Sequence, residues 1–250
     1  MNNFIIEIAT SDFASSQSAA KGGADRIELC DNLAEGGTTQ SEATIKHCRE
    51  KLDIQLFPII RPRGGDFLYS DDEYKIMTND IRTCKGLNCD GVVIGLLNAD
   101  GTIDVERTAT LVELAYPMEV TFHRAFDRCV DPFVALEQLI EIGCNRILTS
   151  GQCATVMEGI ELIEKLVKVA DERIIIMPGS GVRKENIGEI ASRTGVKELH
   201  SSLRMKVKSK MEFRHPGFGE ESYEYYSVIE DDVRALRASL IQVKGPTFSS

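Results

Sequence analysis

The sequence predicts an α/β chain closed into a single TIM-type (β/α)8 barrel over residues 1–250, and three observations lead there. Eight short β-branched runs alternate with amphipathic helical patterns. Their starts recur at about 28 residues, the length of one strand–helix unit. The unusual polar residues fall just after the strands, where a barrel gathers them at one mouth. A doubly wound open sheet shares the alternation but would string those residues along an edge.

The expected strands are Phe4–Ile8, Arg26–Leu29, Leu56–Ile60, Gly91–Ile94, Glu119–Phe122, Arg146–Leu148, Ile174–Met177 and Glu198–Leu199. Between them lies helix grammar. Ser70-Asp71-Asp72-Glu73 reads as a capping box. Asp131-Pro132 places an N-cap before a first-turn proline, with Phe133, Leu136, Leu139 and Ile140 on one face. Val156 to Ala170 carries Ile160, Ile163, Leu166 and Val167 at helical spacing. Asn98 to Asp104 has part of a calcium-loop pattern but lacks the first acidic ligand and the terminal glutamate, so it reads as a turn.

One stretch breaks the alternation. Residues 203–228 separate the eighth strand from a final helix over roughly Asp231 to Val243. Met205, Val207, Ser209, Met211 and Phe213 alternate there with Lys206, Lys208, Lys210 and Glu212, the pattern of a lysine-guarded edge strand or hairpin. Such an excursion serves as a lid or oligomer contact, or is simply solvated. Phe213, Phe218, Tyr223, Tyr225 and Tyr226 suit a dimer interface.

Hydrophobic residues at 42% and charged residues at 27% describe an ordinary packed domain. No run reaches the roughly 18 apolar residues of a membrane span. Met1-Asn2-Asn3-Phe4 opens straight into a strand pattern without a basic-then-apolar leader, so a cytoplasmic location is expected. Seven cysteines at irregular spacing agree with a reducing compartment. A net charge of −10 argues against nucleic acid as a partner. No nucleotide-cofactor motif is evident.

Gly179-Ser180-Gly181 follows the seventh strand, where barrels hold phosphate on loop amides, and Ser150, His200 and Ser201 end neighbouring strands. A tight turn would need the same glycines. In the fifth strand Glu119, Thr121 and His123 share the parity that faces the lumen. Glu7 and Glu28 sit within short strands, and Arg61 follows the parity of Ile59. Glu7, Glu28, Arg61, His123 and His200 would meet at the mouth as an acid–base set, with arginine steadying an oxyanion. An internal ion-pair network would use the same residues. His123 is the first acid–base candidate and His200 the second; His47 and His215 read as surface residues.

With these residues in hand, the chain resembles the copper homeostasis protein CutC family over about residues 4–204. The matching strings are Gly22 to Cys30, Glu35 to Thr39, Ile60 to Ser70, Thr121 to Asp127, Leu148 to Gly151 and Met177 to Gly181. The resemblance implies a TIM-type barrel, a cytoplasmic homo-oligomer, dimer or tetramer, and a proposed role in binding copper, Cu(I). It places cysteines at the ends of the first two strands. The second matches Cys30, while the first position holds Ala9. Since Cu(I) favours at least two soft donors, Cys129 or Cys153 would have to replace the missing thiolate. Cys89 and Cys144 precede strands and belong at the opposite end, and Cys48 and Cys84 read as helix residues. Two functions follow: copper handling through Cys30, or a barrel enzyme acting on a small phosphorylated or carboxylated metabolite. No membrane partner is expected.

Overall fold

The computed structural model describes residues 4–241. Eight parallel strands run β1 (Ile5–Thr10), β2 (Arg26–Leu29), β3 (Gln55–Pro58), β4 (Gly91–Ile94), β5 (Glu119–Phe122), β6 (Arg146–Thr149), β7 (Ile175–Pro178) and β8 (Glu198–Ser201). They form two four-stranded sheets, in the orders β3-β2-β1-β8 and β4-β5-β6-β7. A bridge between Ile59 and Val93 closes one seam, with the Ile60 amide donating to the Val93 carbonyl at 2.8 Å. Across the other, Ser201 Oγ donates to the Val182 carbonyl at 2.8 Å. Helices α1 (Phe13–Lys21), α2 (Glu42–Lys51), α3 (Asp71–Gly86), α4 (Val105–Ala115), α5 (Pro132–Ile142), α6 (Ile160–Ala170), α7 (Ile187–Thr194) and α8 (Glu230–Ile241) surround the strands.

The caps follow the chemistry of the sequence. Ser70 and Glu73 form the reciprocal capping box of α3, and Asp131 accepts from the Phe133 and Val134 amides ahead of Pro132. Helix α6 begins at Ile160, later than its apolar spacing suggests. Residues before it are drawn across the mouth, where the Val156 amide donates to the Ser180 carbonyl at 2.9 Å. Gly159 packs so closely on the Ser150 carbonyl that a side chain there would clash. Asn98 to Thr102 is a turn, its Asn98 amide donating to the Thr102 carbonyl.

Strand parity divides the core in two. Leu56, Ile60, Val92, Ile94, Val120, Phe122 and Ile147 face the helices. Cys30, Phe57, Ile59 and Val93 form a smaller cluster. Phe57 occupies the space that Gly91 leaves empty, between the guanidinium groups of Arg26 (4.8 Å) and Arg146 (5.1 Å).

Three boundaries differ in ways that matter. β1 extends to Thr10, which brings Ala9 into register with Glu28. β8 extends to Ser201, so His200 and Ser201 belong to the strand itself and His200 pairs with Glu7. The excursion is a hairpin of β9 (Arg204–Lys208) and β10 (Glu224–Val228); the alternation from Ser209 to Phe213 forms no strand. Residues 242 and 243 of the expected final helix lie outside the described residues. Among the described residues no helix is long and apolar enough to cross a membrane.

Candidate active site at the barrel mouth

A cavity of about 1140 Å³ opens at the C-terminal ends of the strands, lined by Glu28, Arg61, Phe67, His123, Gly181 and His200 among others. Register alone brings its central group together: Glu7 lies beside His200 on one side and Arg26 on the other, with Glu28 two residues further along β2. His200 Nδ1 donates to Glu7 Oε1 at 2.7 Å, and its Nε2 stands 3.8 Å from Glu28 Oε2. Below them Arg26 Nη1 donates to Glu7 Oε2 (3.2 Å) and Glu198 Oε2 (2.8 Å). Arg146 continues the chain to Glu198 (3.0 Å), Thr121 (3.2 Å) and Glu119 (2.6 Å). The acid–base candidates Glu7, Glu28 and His200 and the ion-pair network are therefore one continuous structure.

The electrostatics separate the three upper groups. Burial alone would raise Glu7, yet the hydrogen bond and charge of His200, with Arg26 and Arg146, pull it down to about 2. Burial lifts the Glu28 carboxyl to about 6, with Glu7 adding to the rise and His200 opposing it. For His200, burial is outweighed by the Glu7 hydrogen bond and the charges of Glu28 and Glu7, which hold the imidazole above its ordinary range. The upward shift of His200 favours its protonated form, and an ionised Glu28 beside it would put a base and an acid in one pocket.

His123 and Arg61 differ from expectation. His123 Nδ1 accepts from the Ala125 amide at 3.1 Å, and burial with the nearby Arg61 charge depresses its pKa to about 3. That imidazole stays neutral and serves as a hydrogen-bond donor, which suits it less to acid–base work than the expectation held. Arg61 uses Nη1 on the Glu35 (2.9 Å) and Gly37 (2.7 Å) carbonyls and Nη2 on Gly65 (2.8 Å). It pins the loops after β2 and β3, and only its Nε remains unengaged. His47 and His215 are exposed.

At the end of β7, the Gly179 amide donates to the Thr149 carbonyl and the Arg183 amide to Asn186 Oδ1. Between them the amides of Ser180, Gly181 and Val182 donate to no acceptor among the described residues. Ser180 (φ 74°) and Gly181 (φ 82°) are both left-handed, and successive unengaged amides in such a turn are the raw material of an anion nest. The hydroxyls expected to help are engaged elsewhere. Ser180 Oγ donates to the Ala154 carbonyl and Ser201 Oγ to that of Val182. Ser150 is fully buried, its Oγ 2.6 Å from the Cys153 carbonyl and 2.9 Å from Asp127 Oδ2. The free donors on this turn are therefore backbone amides rather than serine hydroxyls.

Sequence reasoning passed over Asp127, Gly95 and Phe67. Buried Asp127 accepts from Arg124, Thr149, Ser150 and Gln152, which locks the loops after β5 and β6 together. Gly95 has no side chain where one would strike the His123 ring. Phe67 packs on both Arg61 and His123. Asp127 and Phe67 stand inside the strings quoted above, but only the contacts give them roles.

Cys30 is completely buried beside Phe57, Ile59 and Val93, and burial with the neighbouring Glu28 charge pushes its thiol well above the usual range. Among the described residues no group of three or more His, Cys, Asp or Glu side chains is arranged to hold a metal ion. Cys129 is buried against Gln152, and burial lifts its thiol to about 11. Hard carboxylates and an alanine at position 9 surround the Cys30 side of the mouth. That donor set does not fit Cu(I).

The CutC family profile matches residues 4–205. A CutC family protein of Parabacteroides distasonis is 56% identical over 84% of this chain and 87% of its own. The human copper homeostasis protein cutC homolog is 43% identical over 94% of this chain and 88% of its own. A crystal structure of CutC from Streptococcus agalactiae superposes with a TM-score of 0.76 at 37% identity, covering 80% of this chain and 98% of the other. Phosphoribosylanthranilate isomerase from Thermotoga maritima shares the barrel alone, with a TM-score of 0.59 at 10% identity over 95% of this chain and 98% of its own.

Proposed function

The chain belongs to the CutC family, and from that premise we propose that it is an enzyme moving a proton on a small phosphorylated or carboxylated metabolite. The observation that carries this reading is His200 held between Glu7 and Glu28 at the floor of the mouth. Glu28 is the base, since it lines the cavity and titrates near neutrality. His200, kept protonated by Glu7, is the acid that returns a proton. Glu7 touches no substrate; it sets the orientation and charge of His200. The Ser180, Gly181 and Val182 amides hold the anionic end, with exposed Arg183 beside them.

The test is deuterium incorporation by NMR after incubating phosphorylated and carboxylated keto and hydroxy metabolites with the protein in D2O. Exchange at a carbon next to a carbonyl, lost by at least about 100-fold in Glu28→Gln and His200→Asn, is the expected result. No exchange across the panel, or exchange indifferent to both variants, rejects the reading.

The relatives' names support a second reading, copper handling. Titration of the reduced protein with Cu(I) against a competing chelator, beside Cys30→Ser, separates the two. Stoichiometric binding lost in the variant favours copper at Cys30; weak or indifferent binding favours the enzyme. The exposed Met211, Phe213 and Phe218 on the hairpin loop support a homo-oligomer contact. Sedimentation of a Phe213→Ser, Phe218→Ser double variant tests it: an unchanged assembly rejects the contact.

A further inference from the structure

Arg61 carries its charge into the mouth without a carboxylate to meet it. It is 3% exposed, and no ion pair within 4.0 Å reaches it among the described residues. Its Nη atoms hold three backbone carbonyls, while its Nε is buried and donates to nothing. A buried cation with no counter-charge is costly and invites an anion.

His123 presents the same deficit. With Nδ1 accepting from Ala125, the neutral ring carries its proton on Nε2, and that atom is buried without a partner. Burial and the Arg61 charge keep the ring neutral at physiological pH. The two side chains come from the ends of β3 and β5, and Gly95 at the end of β4 between them lets the imidazole lie close. One ring covers both: Phe67 lies 5.0 Å from the Arg61 guanidinium carbon and 4.9 Å from the His123 ring centre. Phe67 is itself part of the cavity wall and only half-buried.

We propose that Arg61 Nε and His123 Nε2 form a carboxylate subsite, capped by Phe67, which the carboxylate of an incoming ligand turns aside. This deepens the reading of the mouth as an anion-binding enzyme site and rests on it. A substrate gripped by phosphate at the Ser180–Val182 amides would place a carboxylate here, across the mouth from them. The substrate class is then a short phosphorylated carboxylic acid.

Two single-anion probes test the subsite without requiring turnover. Oxalate should shift the His123 Nε2–H resonance in protein labelled with 15N-histidine, while inorganic phosphate should shift the Ser180, Gly181 and Val182 amides. His123→Phe should weaken oxalate at least tenfold and leave phosphate affinity unchanged. Phe67→Ala, which uncaps the donors, should tighten oxalate. Oxalate that leaves the His123 signal unmoved in both the native protein and Phe67→Ala overturns the subsite. Failure of phosphate alone overturns the amide grip and leaves the carboxylate subsite standing.

Discussion

His200 Nδ1 lies 2.7 Å from Glu7 Oε1, both side chains buried, and this contact joins the last strand of the barrel to the first. Glu7 also accepts from Arg26, so Glu7→Gln strips one negative charge from between two cations. Breaking a buried pair of this kind costs about 3–5 kcal/mol, to be read from urea unfolding at pH 7. The pH dependence has a definite sign. Glu7 is held at about 2 against an ordinary value of 4.5, so its contribution is complete above 4.5 and drains away as pH falls toward 2. The variant should lose that part of the native acid dependence.

Glu28 behaves oppositely. Its carboxyl is lifted from 4.5 to about 6, so the native state binds its proton more tightly than the unfolded chain does. Its contribution to stability is fullest below 4.5 and is lost as pH rises through 6, at a cost of about 2 kcal/mol above that window. Glu28→Gln should therefore stabilise the protein at pH 8 by about 2 kcal/mol while lowering turnover at least about 100-fold. A destabilised variant at pH 8 would show that Glu28 is ionised without penalty.

Asp127 is the knot of the loops after β5 and β6. Asp127→Ala leaves Arg124 Nε and the Ser150 and Gln152 amides without their acceptor. A loss of about 3 kcal/mol is expected by denaturant unfolding. Amide exchange should rise most around Thr149 to Gln152. Loss spread evenly over the barrel would argue against a local tie.

Gly95→Ala drives a methyl group into the His123 ring. Overpacking at such a site costs about 1–3 kcal/mol. The imidazole signals should move while those of His200 hold still. If both histidines respond equally, the two ends of the mouth are coupled more closely than their separate partners suggest.

The fold was legible because strand periodicity and post-strand polarity each pointed to the barrel. Glu7 and Glu28 were readable as acidic groups inside apolar strands, a placement that burial makes expensive unless chemistry or pairing compensates. What the sequence obscured was order among equals. His123 and His200 look alike in the chain, and their opposite protonation follows from Arg61 beside one and Glu7 beside the other. Ser150, Ser180 and Ser201 read as ligand hydroxyls because each follows a strand end, but each faces a carbonyl that only the folded loops supply. Cys30 matched a family position, yet its seat is an apolar cluster. The alternation past Lys208 failed to make a strand although its residues suit one, which shows how weakly β propensity binds without a partner to pair with.

The two half-sheets differ in how the chain delivers them. β4 to β7 are consecutive, whereas β3-β2-β1 waits for β8 to arrive from more than a hundred residues downstream. As the chain is synthesised, Glu7 and Arg26 emerge early and have neither His200 nor Glu198 to balance them. β8 is thus a clasp that neutralises charges committed at the start, and closing it is a late, long-range event. Pulsed hydrogen exchange during refolding should protect β5 and β6 before β1; protection in the reverse order would refute the clasp.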